Sequence, residues 1–303
     1  MSTVYLGTSG FAAAVLERLA GAGPHRPALV ITRPDRPAGR GRRVSSPPVA
    51  EVARRLGLAL EQPASVNDPA ISAVIEAAAP GRRPTLVVCS FGALIKEPLL
   101  SGYEILNVHP SLLPRWRGAA PLERAIMAGD QQTGVSIMRL TAGLDSGPVC
   151  LRGAEPIAVE DDYASLAGRL QALGGELLVR ALEEAPPFSE QPEEGVTYAE
   201  KITAADRLLD PGRPAAELER RVRALHPHIG ARLALDGEHA LGVSRARLAD
   251  DRPPAAGELA VIDGRLLLGC EPGALELLVL QPPGGRPMDA AAYLRGHGVP
   301  VRR

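Results

Sequence analysis

Asn107 and His109 stand two residues apart in Asn107-Val108-His109-Pro110-Ser111-Leu112-Leu113-Pro114, directly after the apolar run 103–106. On an extended backbone that spacing sends both side chains to one face. An amide donor beside an imidazole, where a strand ends and a proline-rich loop begins, can hold a developing oxyanion and handle a proton. A strand end with a buried, satisfied histidine accounts for the same letters, so the pair alone leaves both readings open. A third chemical group follows in Thr141-Ala142-Gly143-Leu144-Asp145-Ser146-Gly147, an acid in a turn between glycines. Alone, Asp145 reads equally well as a turn acid bonding local backbone amides.

Charge is concentrated in one earlier stretch. Arg33-Pro34-Asp35-Arg36-Pro37-Ala38-Gly39-Arg40-Gly41-Arg42-Arg43 sets five arginines against one acid. Its prolines and glycines forbid a regular helix or strand. A long connection of that kind is functional or mobile. One reading is an arm that clamps phosphates; the other is a solvated loop. The concentration of charge in an otherwise neutral chain favours the arm. Trp116, flanked by Arg115 and Arg117, either covers a pocket or packs its loop onto the core.

The elements that must position these groups can be read from periodicity. A strand at 3–6, the turn Gly7-Thr8-Ser9-Gly10, a helix at 11–19 and a strand at 28–32 argue for a parallel α/β sheet. The glycines do not complete Gly-x-Gly-x-x-Gly, so a dinucleotide site has little support. A helix is expected at 47–56 and another at 69–79, capped by Asp68. The continuous apolar run 85–89 reads as a strand buried on both faces. Ser90-Phe91-Gly92-Ala93 leads into a short helix ending near 100. The strand carrying Asn107, a helix at 119–128 ended by Gly129, a strand at 134–140 and another at 149–157 follow. One amphipathic helix is expected at 163–182, with Leu166, Leu170, Leu173, Leu177 and Leu178 on its apolar stripe. The Glu- and Pro-rich segment 183–195 has little to bury and reads as a linker, with 196–202 docked on the first domain. Beyond it come a helix at 215–225 and five short strands at 231–235, 240–243, 258–262, 265–269 and 275–280. Asp236-Gly237 and Asp263-Gly264 are turns between them, which suggests a small barrel or sandwich.

Composition excludes several classes. At 303 residues the chain suits about two domains. Its net charge is −1, so no bulk field drives it onto nucleic acid or membrane. No apolar run is long enough to span a bilayer, and Met1 to Gly7 carries no signal-peptide pattern. Cys89, Cys150 and Cys270 are scattered and odd in number, which suits small core residues in a reducing compartment, not a disulfide framework or metal site.

The longer motifs resemble those of the methionyl-tRNA formyltransferase family. The arginine-rich stretch 33–42 resembles that family's basic loop. Asn107 through Pro121, including Arg115-Trp116-Arg117-Gly118, resembles its folate signature nearly letter for letter. Gly143-Leu144-Asp145-Ser146-Gly147 resembles the segment carrying its acid; Val196-Thr197-Tyr198-Ala199-Glu200-Lys201 and Leu280-Gln281-Pro282 resemble later landmarks. The resemblance implies an α/β, Rossmann-like parallel-sheet formyltransferase domain at 1–182, a linker at 183–205 and a small C-terminal β-barrel of the oligonucleotide-binding type at 206–303. It implies formyl transfer from 10-formyltetrahydrofolate to the amino group of methionine esterified to initiator tRNA, by a cytoplasmic monomer preparing that tRNA for translation initiation. By carry-over, Asn107, His109 and Asp145 are catalytic. Ser111, Leu112, Leu113 and Pro114 bind folate, and Arg36, Arg40, Arg42 and Arg43 meet the tRNA.

Some positions depart from the family's pattern. Ser9-Gly10 replaces Pro and an acid, Ser90-Phe91-Gly92 replaces Ala-Tyr-Gly, and His226-Pro227-His228-Ile229 replaces Asn-Pro-Trp-Pro, removing an aromatic at the second domain's entrance. The chemistry expected of the trio needs no metal and no covalent intermediate. Asn107 and a protonated His109 would donate to the oxyanion. Asp145 would favour the imidazolium and relay a proton. From Asp206 onward 14 arginines face 13 acids, so the C-terminal part can bind tRNA only if its arginines cluster. Two other readings keep part of this picture: a folate-dependent formyltransferase acting on a small amine or amino sugar, and an RNA-binding protein without catalysis. The arginine stretch argues against the first, and the intact trio against the second.

Overall fold

Val4, Tyr5 and Leu6 are wholly buried, and this run becomes a central strand because helices and neighbouring strands cover both its faces. The computed structural model describes residues 2–38, 43–235, 240–249 and 253–301. Along the chain come β1 (Thr3–Gly7), α1 (Gly10–Ala20), β2 (Leu29–Ile31), β3 (Arg36–Ala38), β4 (Arg43–Ser45), α2 (Pro48–Arg55), β5 (Leu60–Glu61), α3 (Pro69–Ala78) and β6 (Thr85–Cys89). Then follow α4 (Leu99–Gly102), β7 (Ile105–His109), β8 (Arg117–Gly118), α5 (Pro121–Ala128), β9 (Gln132–Arg139), β10 (Val149–Pro156), α6 (Tyr163–Glu184) and β11 (Tyr198–Ala199). The remainder holds α7 (Ala215–Leu225), β12 (Ala231–Ala234), β13 (Ala240–Ala249), β14 (Leu259–Ile262), β15 (Arg265–Gly269), β16 (Ala274–Gln281), β17 (Met288–Asp289) and α8 (Ala290–His297).

These elements form two units. The first comprises Met1–Gly118, Gln132–Pro156 and Ala167–Tyr198. Its sheet runs β10-β9-β7-β6-β1-β2-β5. The five strands from β7 to β5 are parallel; β9 runs antiparallel to β7, and β10 antiparallel to β9. The chain leaves β1 towards β2 and β5 on one side and continues through β6 and β7 on the other. The crevice at the C-terminal ends of β1 and β6 is therefore a topological switch point, where such sheets take ligands. Alternation along β7 divides its residues between the two faces. Val108 lies under α6, where Gly174 lets the helix approach: a Cβ there would stand 3.1 Å from Val108 Cγ1. Asn107 and His109 project from the opposite face. Asp68 caps α3 as expected, accepting from Ala70 N at 2.9 Å.

Two expectations in this unit are corrected. The arginine-rich stretch does form regular structure: β3 and β4 pair antiparallel, with Arg36 opposite Ser45 and Pro37 opposite Val44. A two-stranded ribbon has only edges, so the missing N–H of Pro37 leaves no ladder partner unsatisfied. Asp35 anchors its base. Gln62 Nε2 donates to it at 2.7 Å and Ser46 Oγ at 2.9 Å, and these bonds hold its carboxyl below the usual carboxylate range. After β6 no helix runs from Ala93; a single turn, Leu99–Gly102, is all that forms.

The second unit comprises Ala119–Gln131, Ile157–Leu166 and Ala199–Arg303. Its antiparallel sheet runs β12-β13-β16-β15-β14, with β17 added beside β16. Leu218, Val222 and Leu225 of α7 pack with Leu233, Leu241, Val243, Leu268 and Leu277 from the strands. Burying each such side chain is worth roughly 1.5–3 kcal/mol. Asp263 (φ 50°) and Gly264 (φ 76°) make the tight turn between β14 and β15. The turn expected at Asp236-Gly237 lies outside the described residues. β17 and α8 add to the expected elements; Ala290–His297 offers little apolar periodicity to mark a helix. Arginines expected to gather for tRNA are largely engaged internally. Arg220 donates to Met127 O, Arg221 to Leu208 O, Arg223 to Glu219 and Asp161 O, and Arg247 to Glu276. The aromatic lost at position 228 is replaced in kind: the His228 imidazole stacks on Tyr163 at 3.7 Å and bonds Glu123 at 2.9 Å. Burial, with Glu123 nearby, pushes the Tyr163 hydroxyl up to about 12.

Candidate active site

The site is built on the end of β7. Pro110 cannot extend the ladder, so the strand stops at His109. Ser136 of β9, opposite His109, fastens the turn that follows: its Oγ donates to Ser111 O at 2.7 Å and accepts from Leu113 N at 3.1 Å. Ser111 and Leu113 are buried, and Ser111 Oγ donates to Arg115 O at 2.7 Å. Leu112 and Pro114 are half-buried. Of the four residues expected to bind folate, two thus shape the turn from inside and two reach its surface.

Asp145 arrives from the turn between β9 and β10. That turn leaves the ladder beyond Arg139, which pairs with Leu106, and folds back over Asn107 and His109. Gly147 permits the return, because a Cβ there would lie 2.0 Å from Arg139 O. Asn107 Nδ2 donates to Asp145 Oδ1 at 3.4 Å, and His109 Nδ1 lies 3.6 Å from Asp145 Oδ2. The three groups share one crevice. Asn107 is 8% exposed and the His109 and Asp145 side chains 5% and 14%, so water reaches them only at the edge.

Backbone groups that no sequence motif announces aim these side chains. Gly118 N donates to Asp145 Oδ2 at 2.9 Å. The carbonyl of Trp116 lies 2.9 Å from His109 Nε2. A carbonyl only accepts, so Nε2 carries the proton of that bond, and Nδ1 is the nitrogen left facing the carboxylate. Trp116 reaches this geometry at φ 63°, unusual for a bulky residue, and its N–H is held by Thr197 Oγ1 at 2.9 Å. Its ring lies beneath the Arg115 guanidinium at 4.4 Å. Gln191 also enters from the segment expected to be a plain linker, donating to Asp145 O and Gly147 O. Its signal in the sequence was masked by Glu- and Pro-rich surroundings.

A cavity of about 370 Å³ opens at the switch point, lined by Thr8, Ser9, Arg33, Arg36, Ser46 and Phe91 among others. Ser9, one of the unusual positions, caps α1 by accepting from Ala12 N. Arg33 donates to Gly92 O, while Arg36 is exposed. Arg43 lies in β4, and Arg40 and Arg42 lie outside the described residues. Among the described residues no group of three or more His, Cys, Asp or Glu side chains is placed to hold a metal ion, and no helix is long and apolar enough to cross a membrane.

Comparison with known proteins places this geometry in context. The family profile described as "Formyl transferase" matches residues 1–182, and "Formyl transferase, C-terminal domain" matches 201–298. The methionyl-tRNA formyltransferase of Halorhodospira halophila is 45% identical over 311 residues, covering 99% of this chain and 98% of its own. Among solved structures, HypX from Aquifex aeolicus in complex with tetrahydrofolic acid superposes with TM-score 0.62 at 17% identity. That match covers 96% of this chain, which spans about half (46%) of HypX. The methionyl-tRNA formyltransferase from Clostridium thermocellum superposes with TM-score 0.58 at 13% identity, over 83% of this chain and 95% of its own. At such identities the two superpositions speak to the fold.

Proposed function

We propose, for a chain that belongs to the methionyl-tRNA formyltransferase family, that Asn107, His109 and Asp145 catalyse transfer of the formyl group of 10-formyltetrahydrofolate to the amino group of methionine on initiator tRNA. The amine must be neutral to attack, and its ordinary pKa of about 7.7–8.0 leaves a usable neutral fraction at physiological pH. Attack on the formyl carbon forms a C–N bond and a tetrahedral oxyanion. The second amide hydrogen of Asn107 and the Nδ1 proton of a protonated His109 donate to that oxygen. Asp145, poised between them, takes the amine's proton and passes it towards the folate nitrogen as the old C–N bond breaks. Loss of one donor of this kind typically costs about 10²–10³ in rate.

The observation that carries the reading is the meeting of Asn107, His109 and Asp145 from two separate segments over one sheet face. Leu112 and Pro114 flank the donor, while Ser111 and Leu113 keep the turn's shape. Arg36 and Arg43, on the β3–β4 ribbon, and Arg40 and Arg42, which lie outside the described residues, are assigned to the phosphates of the acceptor end. Residues 1–182 carry the chemistry and 206–303 assist tRNA binding; 183–205 connects them. The groups all belong to one chain, so the reaction requires no second subunit. Buried free thiols at Cys89 and Cys270 suit the reducing cytoplasm. The test is transfer from 10-formyltetrahydrofolate to initiator methionyl-tRNA, elongator methionyl-tRNA and small amines in parallel. Marked preference for the initiator is expected. Equal transfer to a small amine or amino sugar overturns the assignment of substrate.

A further inference from the structure

We infer that Gln191 is a positioning residue for Asp145, an inference that rests on the reaction proposed above. Its amide uses all of its hydrogen-bonding capacity. Nε2 donates to Asp145 O at 2.9 Å and to Gly147 O at 2.7 Å. Oε1 accepts from Arg117 Nε at 3.0 Å and from the Arg117 terminal nitrogen at 2.8 Å. The orientation of the amide follows from its partners, since carbonyls only accept and a guanidinium only donates.

Those four bonds tie together the stretches that aim the catalytic groups. Arg117 lies between Trp116, whose carbonyl orients His109, and Gly118, whose N–H holds the Asp145 carboxylate. On the other side, Asp145 sits at φ 43°, a left-handed conformation uncommon outside glycine, though aspartate tolerates it better than most residues. Gln191 grips the carbonyls of Asp145 and of Gly147 two residues on. The segment bearing it is itself fastened: Ser189 exchanges two backbone bonds with Val149, at 2.8 and 3.0 Å, and Phe188 lies beneath the Arg139 guanidinium at 4.2 Å. Residues 188–191 thus close the turn against both strands from which it springs. Only glutamine fits this role. Glutamate would keep Arg117 but set a carboxylate against two carbonyls, and asparagine is one methylene too short to span them.

The test uses the full-length protein and the variants Gln191→Leu and Gln191→Glu. For Gln191→Leu, kcat falls about 10- to 100-fold, KM for folate and for tRNA stays within threefold, and the melting temperature is nearly unchanged. Gln191→Glu loses a similar factor although its bond to Arg117 survives; should the leucine variant not fold, this one carries the test. Combined with Asp145→Asn, Gln191→Leu adds less than threefold, because the acid it positions is already gone. Hydrogen exchange of the peptide covering 140–149 speeds up in both variants, a readout independent of activity. Wild-type kcat in both variants, a loss confined to KM, multiplying losses in the double variant, or unchanged exchange each overturn the inference. Failure of the wild-type protein to formylate methionyl-tRNA, with exchange still faster in the variants, counts against the reaction and leaves the positioning intact.

Discussion

Replacing Asp145 with asparagine removes one charge and almost no volume. The asparagine oxygen can still accept from Gly118 N–H, which keeps the turn's anchor, while the long 3.4 Å bond from Asn107 is given up because the new amide nitrogen cannot accept it. What is lost is the carboxylate 3.6 Å from His109 Nδ1. For a protonated imidazole at that distance, Coulomb's law with an effective dielectric of about 20 gives about 4–5 kcal/mol. The carboxylate is 14% exposed, and water at that edge weakens the attraction to roughly half, about 2–3 kcal/mol. At about 1.4 kcal/mol per decade, single-turnover formyl transfer should slow roughly 100-fold. The assay mixes saturating enzyme and 10-formyltetrahydrofolate with methionyl-tRNA and quenches at timed intervals, with thermal melting as control for the fold. A rate within fivefold of wild type, in a variant that melts normally, would refute the electrostatic role. So would a loss that disappears at saturating folate, because that places the carboxylate in binding.

Asn107→Ala should lower kcat by about 10²–10³ while leaving tRNA affinity within a few-fold, measured by steady-state kinetics and filter binding. Gly147→Ala should cost well over 2 kcal/mol of stability or displace the acid turn, since its methyl would meet Arg139 O at 2.0 Å; calorimetry and turnover report either result. Asp206 gives a pH test in the second unit. Its hydrogen bond to Arg124, at 2.7 Å, holds the carboxyl well below its usual range. A depressed carboxylate stabilises the fold above its unfolded pKa of about 3.9 and loses that contribution as pH falls. Asp206→Asn should therefore be about 1 kcal/mol less stable than wild type at pH 7, with the gap narrowing from about pH 4 downward in denaturant melts. Finally, tRNA affinity should weaken with salt at a slope of about 0.7–0.9 per phosphate contact, and Arg36→Ala should reduce that slope by up to one contact.

Much of this was legible one segment at a time. The apolar run at Thr85–Cys89 becomes a strand buried on both faces. The spacing of Asn107 and His109 does put both on one side of β7, with Val108 turned the other way. Asp68 caps its helix, Asp263-Gly264 turns its hairpin, and Ala215–Leu225 is helical over the residues its periodicity marks. Each depends on the preferences of neighbouring residues, which the local sequence carries whole. The arginine-rich stretch is not legible this way, because a proline that would break a continuous sheet is tolerated in a lone two-stranded ribbon, where each strand keeps one free edge. Residues 183–195 are not legible from composition, because composition measures how much apolar surface a segment can bury, and Gln191, half-buried, acts through four hydrogen bonds.

The sequence by itself determined which chemical groups were present and which way their strands faced, because the period of a strand is set by its own backbone. Tertiary structure alone decided which groups meet: the antiparallel return of β9 and β10 folds Asp145 back over Asn107, from 38 residues away. It also recruited the carbonyl of Trp116, which every residue type supplies, and the N–H of Gly118, which every type but proline supplies, so neither donor nor acceptor is spelled out by a side chain. Such groups become specific only when the chain's path aims them, and that path is fixed by packing across the whole unit.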